Sequence, residues 1–463
     1  MTELKPLRPI LYIGPPNEVL CDESIWDEFE QAGVAGVAPA QLSILDPEGD
    51  DPFPVVPAPD RVHPRVLAAL GDGPAERTPV APFSPRRDLY EGLPWQLPDL
   101  PDRLSPQAED LHEGLREGAR RGFQIHFNDD KGHFMDFPSR RLNLLSRHLC
   151  DPDVVSLLVA RAVDNAENFP ELSAIYLDGV NYRWDIKPGH PDDVFAEELD
   201  DEQSRRFASE RGISMQRVFD GRERFADRLR SLSPSVAEDL VSNLNGAMGA
   251  IEWWLEEPDV VEWLRFKAAA IEWHIASAYA GIKHHRPELQ VGVMWRQPAV
   301  AALSGYLPRR IRAHSDFQMP KEYWWAGGWA GLKGTVVNWV DTLVEWNDGL
   351  SPEQASRWFS AVFDYPLTPG YPVADYHNEA PQEWFDTAVD DQTRKMIESC
   401  GGVDRMVPVV SLEHSGTPLT AVELDRLLGV LQRHGVQRYL YASFNNITSD
   451  VWSVIAKYGK YGQ

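Results

Sequence analysis

The sequence predicts an α/β fold, a (β/α)8 barrel with long loop insertions, and three observations carry that expectation. Short apolar, β-branched or aromatic runs alternate with amphipathic helical stretches along the chain. Eight such runs can be placed. The 463 residues exceed the roughly 250 typical of such a barrel, and the surplus falls in loops after strands, where these barrels build their sites. A prior of roughly 150 residues per domain would divide the chain in three. The repeated strand-helix unit argues instead for one barrel over residues 1–463, with no internal sequence repeat.

The elements follow in order. Strand one is Ile10 to Gly14, followed by a helix from Asp22 to Gln31, and strand two is Gly33 to Val37. From about 46 to 106 the chain is rich in proline and acidic residues, too long for an ordinary connection and therefore an elaborated insertion. Gln107 to Arg121 sets Leu111, Leu115 and Ala119 on one helical stripe that Gly122 stops, and Phe123 to Phe127 is strand three. A helix from Pro152 to Asn168 feeds strand four, Ser173 to Leu177. A long charged helical region, Glu197 to Leu232, precedes a helix from Val260 to His285 and strand five, Gln290 to Trp295. Strand six is Ser315 to Met319, and its loop carries Tyr323, Trp324, Trp325, Trp329, Trp339 and Trp346. After a helix around Pro352 to Phe363 come strand seven, Val407 to Leu412, a helix from Leu419 to His434 and strand eight, Gln437 to Ala442.

With 45 Lys and Arg against 71 Asp and Glu, the formal charge is −26. That argues against a general nucleic-acid binder, which needs a basic face, and disfavours an anionic membrane surface. No apolar run is long enough for a signal peptide or a spanning helix, so the expected location is the cytoplasm. Cys21, Cys150 and Cys400 are too scattered for a disulfide framework or a metal clip and are expected to be buried thiols.

Polar residues just past the C-terminal ends of barrel strands converge on one mouth. That filter selects Asp178, Tyr182 and Arg183 after strand four, Glu413 and His414 after strand seven, and His126, Asn128, Asp129 and Asp130 at strand three. It adds Trp295 and Arg296 at strand five, Trp324 after strand six and Asn445 after strand eight. Asp178 and Glu413 lie on strands roughly across the barrel, as two carboxyl groups flanking a glycosidic bond must: one protonated acid, one ionised nucleophile or base. Either acid could instead only pair with Arg183, Arg296 or a helix N-terminus. Trp184, Trp295, Trp324, Trp325 and Trp329 fall in post-strand loops and suit stacking on sugar rings, whereas Trp253, Trp254, Trp263 and Trp273 lie on helices and belong to the core. His126, Asp129, Asp130 and His133 can be read as a metal cluster, but they lack an HExxH motif, so sugar-hydroxyl binding by His126 and Asn128 is preferred and no metal or cofactor is expected.

The run EGLREGARRGFQIHF, the LCDP turn opening a helix, ELSAIYLDGVNYR and AHSDFQMPKEYW together resemble glycoside-hydrolase-like TIM-barrel proteins. The IYLDG ending is similar to strand four of α-L-fucosidase-type barrels, and the resemblance implies a nucleophile at Asp178. The VSLEHS ending resembles strand seven of the clan whose nucleophile is a glutamate there, which maps onto Glu413; that clan carries Asn-Glu at strand four, where this chain has Asp178-Gly179. The expectation is a glycoside hydrolase acting on an oligosaccharide or glycoside, with Asp178 and Glu413 catalytic. The alternatives are a carbohydrate-binding barrel without catalysis and a metal-dependent hydrolase or lyase.

Overall fold

A computed structural model describes residues 5–14, 17–39, 44–46, 53–54, 76–80, 83–94, 106–128, 149–190, 193–243, 247–322, 331–410, 419–442 and 444–460. Eight parallel strands close into a barrel: β1 (Arg8–Ile13), β2 (Gly36–Pro39), β3 (Gln124–Asn128), β4 (Leu172–Leu177), β5 (Gln290–Trp295), β6 (Phe317–Glu322), β7 (Val409–Val410) and β8 (Arg438–Ala442). Neighbours pair in chain order, and β1 meets β8 in register from Arg8 opposite Arg438 to Tyr12 opposite Ala442. Within the 46–106 insertion, the described strands Phe53–Pro54 and Glu76–Val80 join Ile44–Asp46 in a small antiparallel sheet.

The helices start where the sequence offers an oxygen to the free amides of a first turn. Asp22 caps α1 (Glu23–Gln31), Asp151 followed by Pro152 opens α2 (Pro152–Asn168), and Thr420 with Glu423 forms a reciprocal capping box on Ala421–Arg433.

Inside the barrel the period of two sorts the residues. His126, Tyr176 and Phe317 meet as rings on the inner wall, and Met319 and Lys321 continue the Phe317 phase towards the mouth. Gly292 makes this possible, since a Cβ there would lie 2.4 Å from the Phe317 ring. Gln318 and Glu322 take the opposite phase and face the helices: Gln318 donates to the Pro308 carbonyl and Glu322 accepts from Thr393 on α3 (Asp390–Cys400).

Several expectations shift. Strand two begins at Gly36 because Gly33, at φ 72°, still belongs to the turn that ends α1. The charged region at 197–232 is two helices, Glu202–Glu210 and Met215–Arg230, parted by a turn at Gly212. Strand six begins at Phe317 rather than Ser315 and runs on past Met319 through Lys321 and Glu322. Trp339 and Trp346 are not loop residues but belong to a helix, Gly334–Trp346, and Trp339 packs among Phe225, Trp358, Phe359 and Phe363. Trp253, Trp254, Trp263 and Trp273 do join the core, and all three cysteines are free, with Cys150 and Cys400 buried and Cys21 half-buried.

Candidate active site at the barrel mouth

Asp178 is the first residue beyond β4, and its position is fixed from two sides. Its Oδ1 accepts from the Lys321 ammonium at 2.5 Å and from the Gly179 amide at 2.7 Å. Gly179 sits at φ 73°, a backbone conformation that a side chain would strain. Lys321 comes from β6, two strands away, and its side chain is 5% exposed against 16% for Asp178. The acid pairs with this lysine, not with Arg183 or Arg296.

Arg296 stands just past β5 with its guanidinium 3.7 Å from the centroid of the Trp184 ring. One Nη is 3.4 Å from Asn181 Oδ1, and Nε is buried with no hydrogen-bond partner among the described residues. Tyr306, buried, lies near enough to feel the charges of both Asp178 and Arg296; burial, then Asp178, hold its phenol well above the ordinary range. Its hydroxyl also lacks a partner among the described residues.

The remaining expected site residues divide. His126 is buried inside the barrel rather than at its rim, shares a hydrogen bond between Nδ1 and the Tyr176 hydroxyl, and is held neutral by burial, which lowers it to about 3. Asn128 is buried at the end of β3 with Nδ2 3.5 Å from the Tyr12 hydroxyl. Asn445 has both polar atoms on one residue, Oδ1 accepting from the Gly14 amide at 2.8 Å and Nδ2 donating to the Gly14 carbonyl at 3.3 Å, so it clamps the ends of β1 and β8 together. Tyr182 is turned inward beneath Lys267, its hydroxyl 3.9 Å from Cys150 Sγ. Arg183 binds through its backbone amide to Glu197 and through its side chain to the Ala196 carbonyl. Trp295 is 1% exposed and Trp184 is fully buried, so both pack as core and offer no ring face to a sugar. Asp129, Trp324, Glu413 and His414 lie outside the described residues, as do Asp130, His133, Trp325 and Trp329. Among the described residues no cluster of three His, Cys, Asp or Glu side chains is arranged to hold a metal, and no helix is long and apolar enough to cross a membrane.

Lys321 and Tyr306 are the residues that sequence reasoning missed. Lys321 had a signal: Phe317, Met319 and Lys321 alternate with Gln318, Pro320 and Glu322, which would have put a lysine at the mouth end of an inward phase. Tyr306 had none, because it arrives on a turn whose Ser304 carbonyl is taken by the Tyr182 amide.

No protein-family model matches the sequence, and no curated protein matches it. Among solved structures, the chain is similar to the catalytic domain of a β-amylase from Paenibacillus polymyxa, at 8% identity and a TM-score of 0.45 over 99% of this chain and 98% of that one. It is similar to a β-galactosidase from the psychrophilic Marinomonas ef1, at 8% identity and a TM-score of 0.49 over 98% of this chain and 59% of that one. A chitinase from Chromobacterium violaceum matches at 9% identity and a TM-score of 0.37 over 99% of this chain and 100% of that one.

Proposed function

We propose that this chain is a glycoside hydrolase acting on an oligosaccharide or glycoside, with Asp178 as nucleophile and Glu413 as general acid and base. The observation that carries this reading is the Asp178 carboxylate at the mouth end of β4, bonded to an ammonium and a backbone amide. A carboxylate so held is favoured as an anion, the form that attack on an anomeric carbon requires. The proton donor is then Glu413, three residues past the described end of β7, and β4 and β7 are three strands apart in a ring of eight. At a carboxyl separation of about 5–5.5 Å, Asp178 would displace the leaving oxygen as Glu413 protonates it, and water activated by Glu413 would then free the sugar. At about 6.5–9.5 Å, Asp178 would instead activate the water directly. In this reading Trp324 supplies a stacking ring, and Asp129 and His414 bind hydroxyls.

One observation favours a second reading, a carbohydrate-binding barrel without turnover: Asp178 is already committed to Lys321. One experiment separates the two. Wild type and Asp178→Asn are assayed against a panel of aryl glycosides, with sugar binding measured alongside. Cleavage that the substitution abolishes supports the hydrolase; binding with no cleavage by wild type supports the second reading; cleavage undiminished in the variant removes Asp178 from the mechanism.

A further inference from the structure

The mouth holds a cation with no counter-ion among the described residues. The three buried lysines among the described residues each have a carboxylate: Lys267 has Glu197, Lys321 has Asp178 and Lys333 has Glu423. Arg296, 9% exposed, has none. Its polar contact is one long hydrogen bond to a neutral amide, and its flat face rests on Trp184, which the Trp339 helix holds by an indole N–H to the Trp184 carbonyl at 3.2 Å. A buried guanidinium without an anion is costly, and a chain with 71 acidic residues had many to place beside it. Asp178 is already bonded to Lys321, so it does not supply the anion that Arg296 lacks among the described residues.

We infer that the ligand of this mouth is an acidic sugar, one carrying a carboxylate or a phosphate, and that Arg296 receives that group. The ring contact with Trp184 fixes the guanidinium plane in advance, which suits the fork geometry that binds carboxylate and phosphate oxygens. Tyr306, neutral and with a hydroxyl that has no partner among the described residues, stands near the same charge and can donate to the anion or to a ring hydroxyl. The inference deepens the hydrolase reading by naming its substrate class, but it concerns binding and holds for a barrel without turnover as well.

The test is equilibrium binding of the whole protein by calorimetry. Glucuronate, galacturonate and glucose 6-phosphate are compared with glucose and galactose, with inorganic phosphate as a further arm. At least one acidic sugar should bind roughly ten- to hundredfold tighter than its neutral counterpart, the worth of one charge-assisted hydrogen-bonded contact. Arg296→Gln should erase that preference and Arg296→Lys should keep part of it. A preference confined to the uronates or to the phosphate tells which anion is read. Neutral sugars binding as well as acidic ones, no acidic sugar binding at all, a preference that survives Arg296→Gln, or inorganic phosphate binding as tightly as the sugars would each overturn the inference. The wild-type comparison decides even if the glutamine variant fails to fold. Aspartate-dependent cleavage of neutral glycosides with no acidic preference defeats this inference alone, whereas acidic sugars bound but no glycoside cleaved defeats the hydrolase reading alone.

Discussion

Two lysine-carboxylate pairs involve the segment that follows β4, one through Asp178 and one through Glu197, and they are built differently. Lys267, on the helix Pro258–His285, lies 2.9 Å from Glu197, with side chains 0% and 3% exposed. That pair is closed on itself: Glu197 Oε1 also accepts the Arg183 amide, the ammonium also donates to the Arg183 carbonyl at 3.0 Å, and it lies 4.6 Å from the Trp263 ring centroid. Burial pushes the Glu197 carboxyl up and the Lys267 ammonium down, and each charge opposes the shift of the other. Lys321 and Asp178 lie at the strand ends instead, and the carboxylate keeps some of its surface open. The first pair fastens the loop after β4 to the helical shell; the second presents a held anion at the mouth. The same two chemical groups are thus sealed where solvent is excluded and keep an open carboxylate edge where it is not.

Breaking each pair should therefore fail differently. Asp178→Asn is expected to lower hydrolysis of a cleaved aryl glycoside by about a thousandfold or more, roughly 4 kcal/mol of transition-state stabilisation, with a smaller loss of stability than breaking the sealed pair, because this carboxylate keeps some of its surface open. Glu197→Ala is expected to lower stability by about 3–5 kcal/mol, read from denaturant unfolding, because it strands the Lys267 ammonium in a dry site. A Glu197 variant as stable as wild type, or an Asp178 variant that unfolds instead of losing activity, would erase the distinction.

Much of the barrel was legible because strands and helices here announce themselves locally. The bounds expected for α2 and for β5 agree with the structure, since Asp151-Pro152 is a capping signal and QVGVMW is a clean apolar run. What stayed hidden depends on contacts far apart in sequence. Nothing near Asp178 in the chain says that Lys321, 143 residues on, will hold it. The sequence likewise made Asn445 and Trp295 look like site residues, because lying after a strand does not tell whether a side chain turns to the ligand, to Gly14 or into the core.

The neighbour of Lys321 sharpens the comparison, since one residue along β6 changes which environment an ionisable group enters. Glu322 is buried against α3 with Thr393 donating to Oε1 at 2.7 Å and Oε2 unpartnered among the described residues, and burial raises its carboxyl from 4.5 to about 7. The folded state therefore keeps a proton that the unfolded chain releases, so stability falls as pH climbs from 4.5 to about 7 and then levels off. The shift is worth about 3 kcal/mol. Glu322→Gln, which stays neutral at every pH, should be more stable than wild type by up to that amount at about pH 8 and similar to it near pH 4.5. Denaturant unfolding of both proteins across that range checks it, and a difference independent of pH would show that Glu322 titrates as an ordinary surface acid.

The smallest effect expected is at Asn445, where a mouth position has a shell-like role. Its amide satisfies both the N–H and the C=O of Gly14, closing the seam between the first and last strands. Asn445→Ala leaves that N–H without its acceptor in a half-buried seam, a loss of about 1–2 kcal/mol in unfolding free energy. Because both polar atoms are spent on the backbone, KM for any cleaved glycoside should not move. Asn445→Asp separates the two bonds, keeping the acceptor for the Gly14 amide and removing the donor to its carbonyl, and should recover part of the lost stability. A rise in KM with stability unchanged would return Asn445 to the ligand side of the mouth, and would mean that the seam is held by the strand ladder from Arg8 to Tyr12 alone.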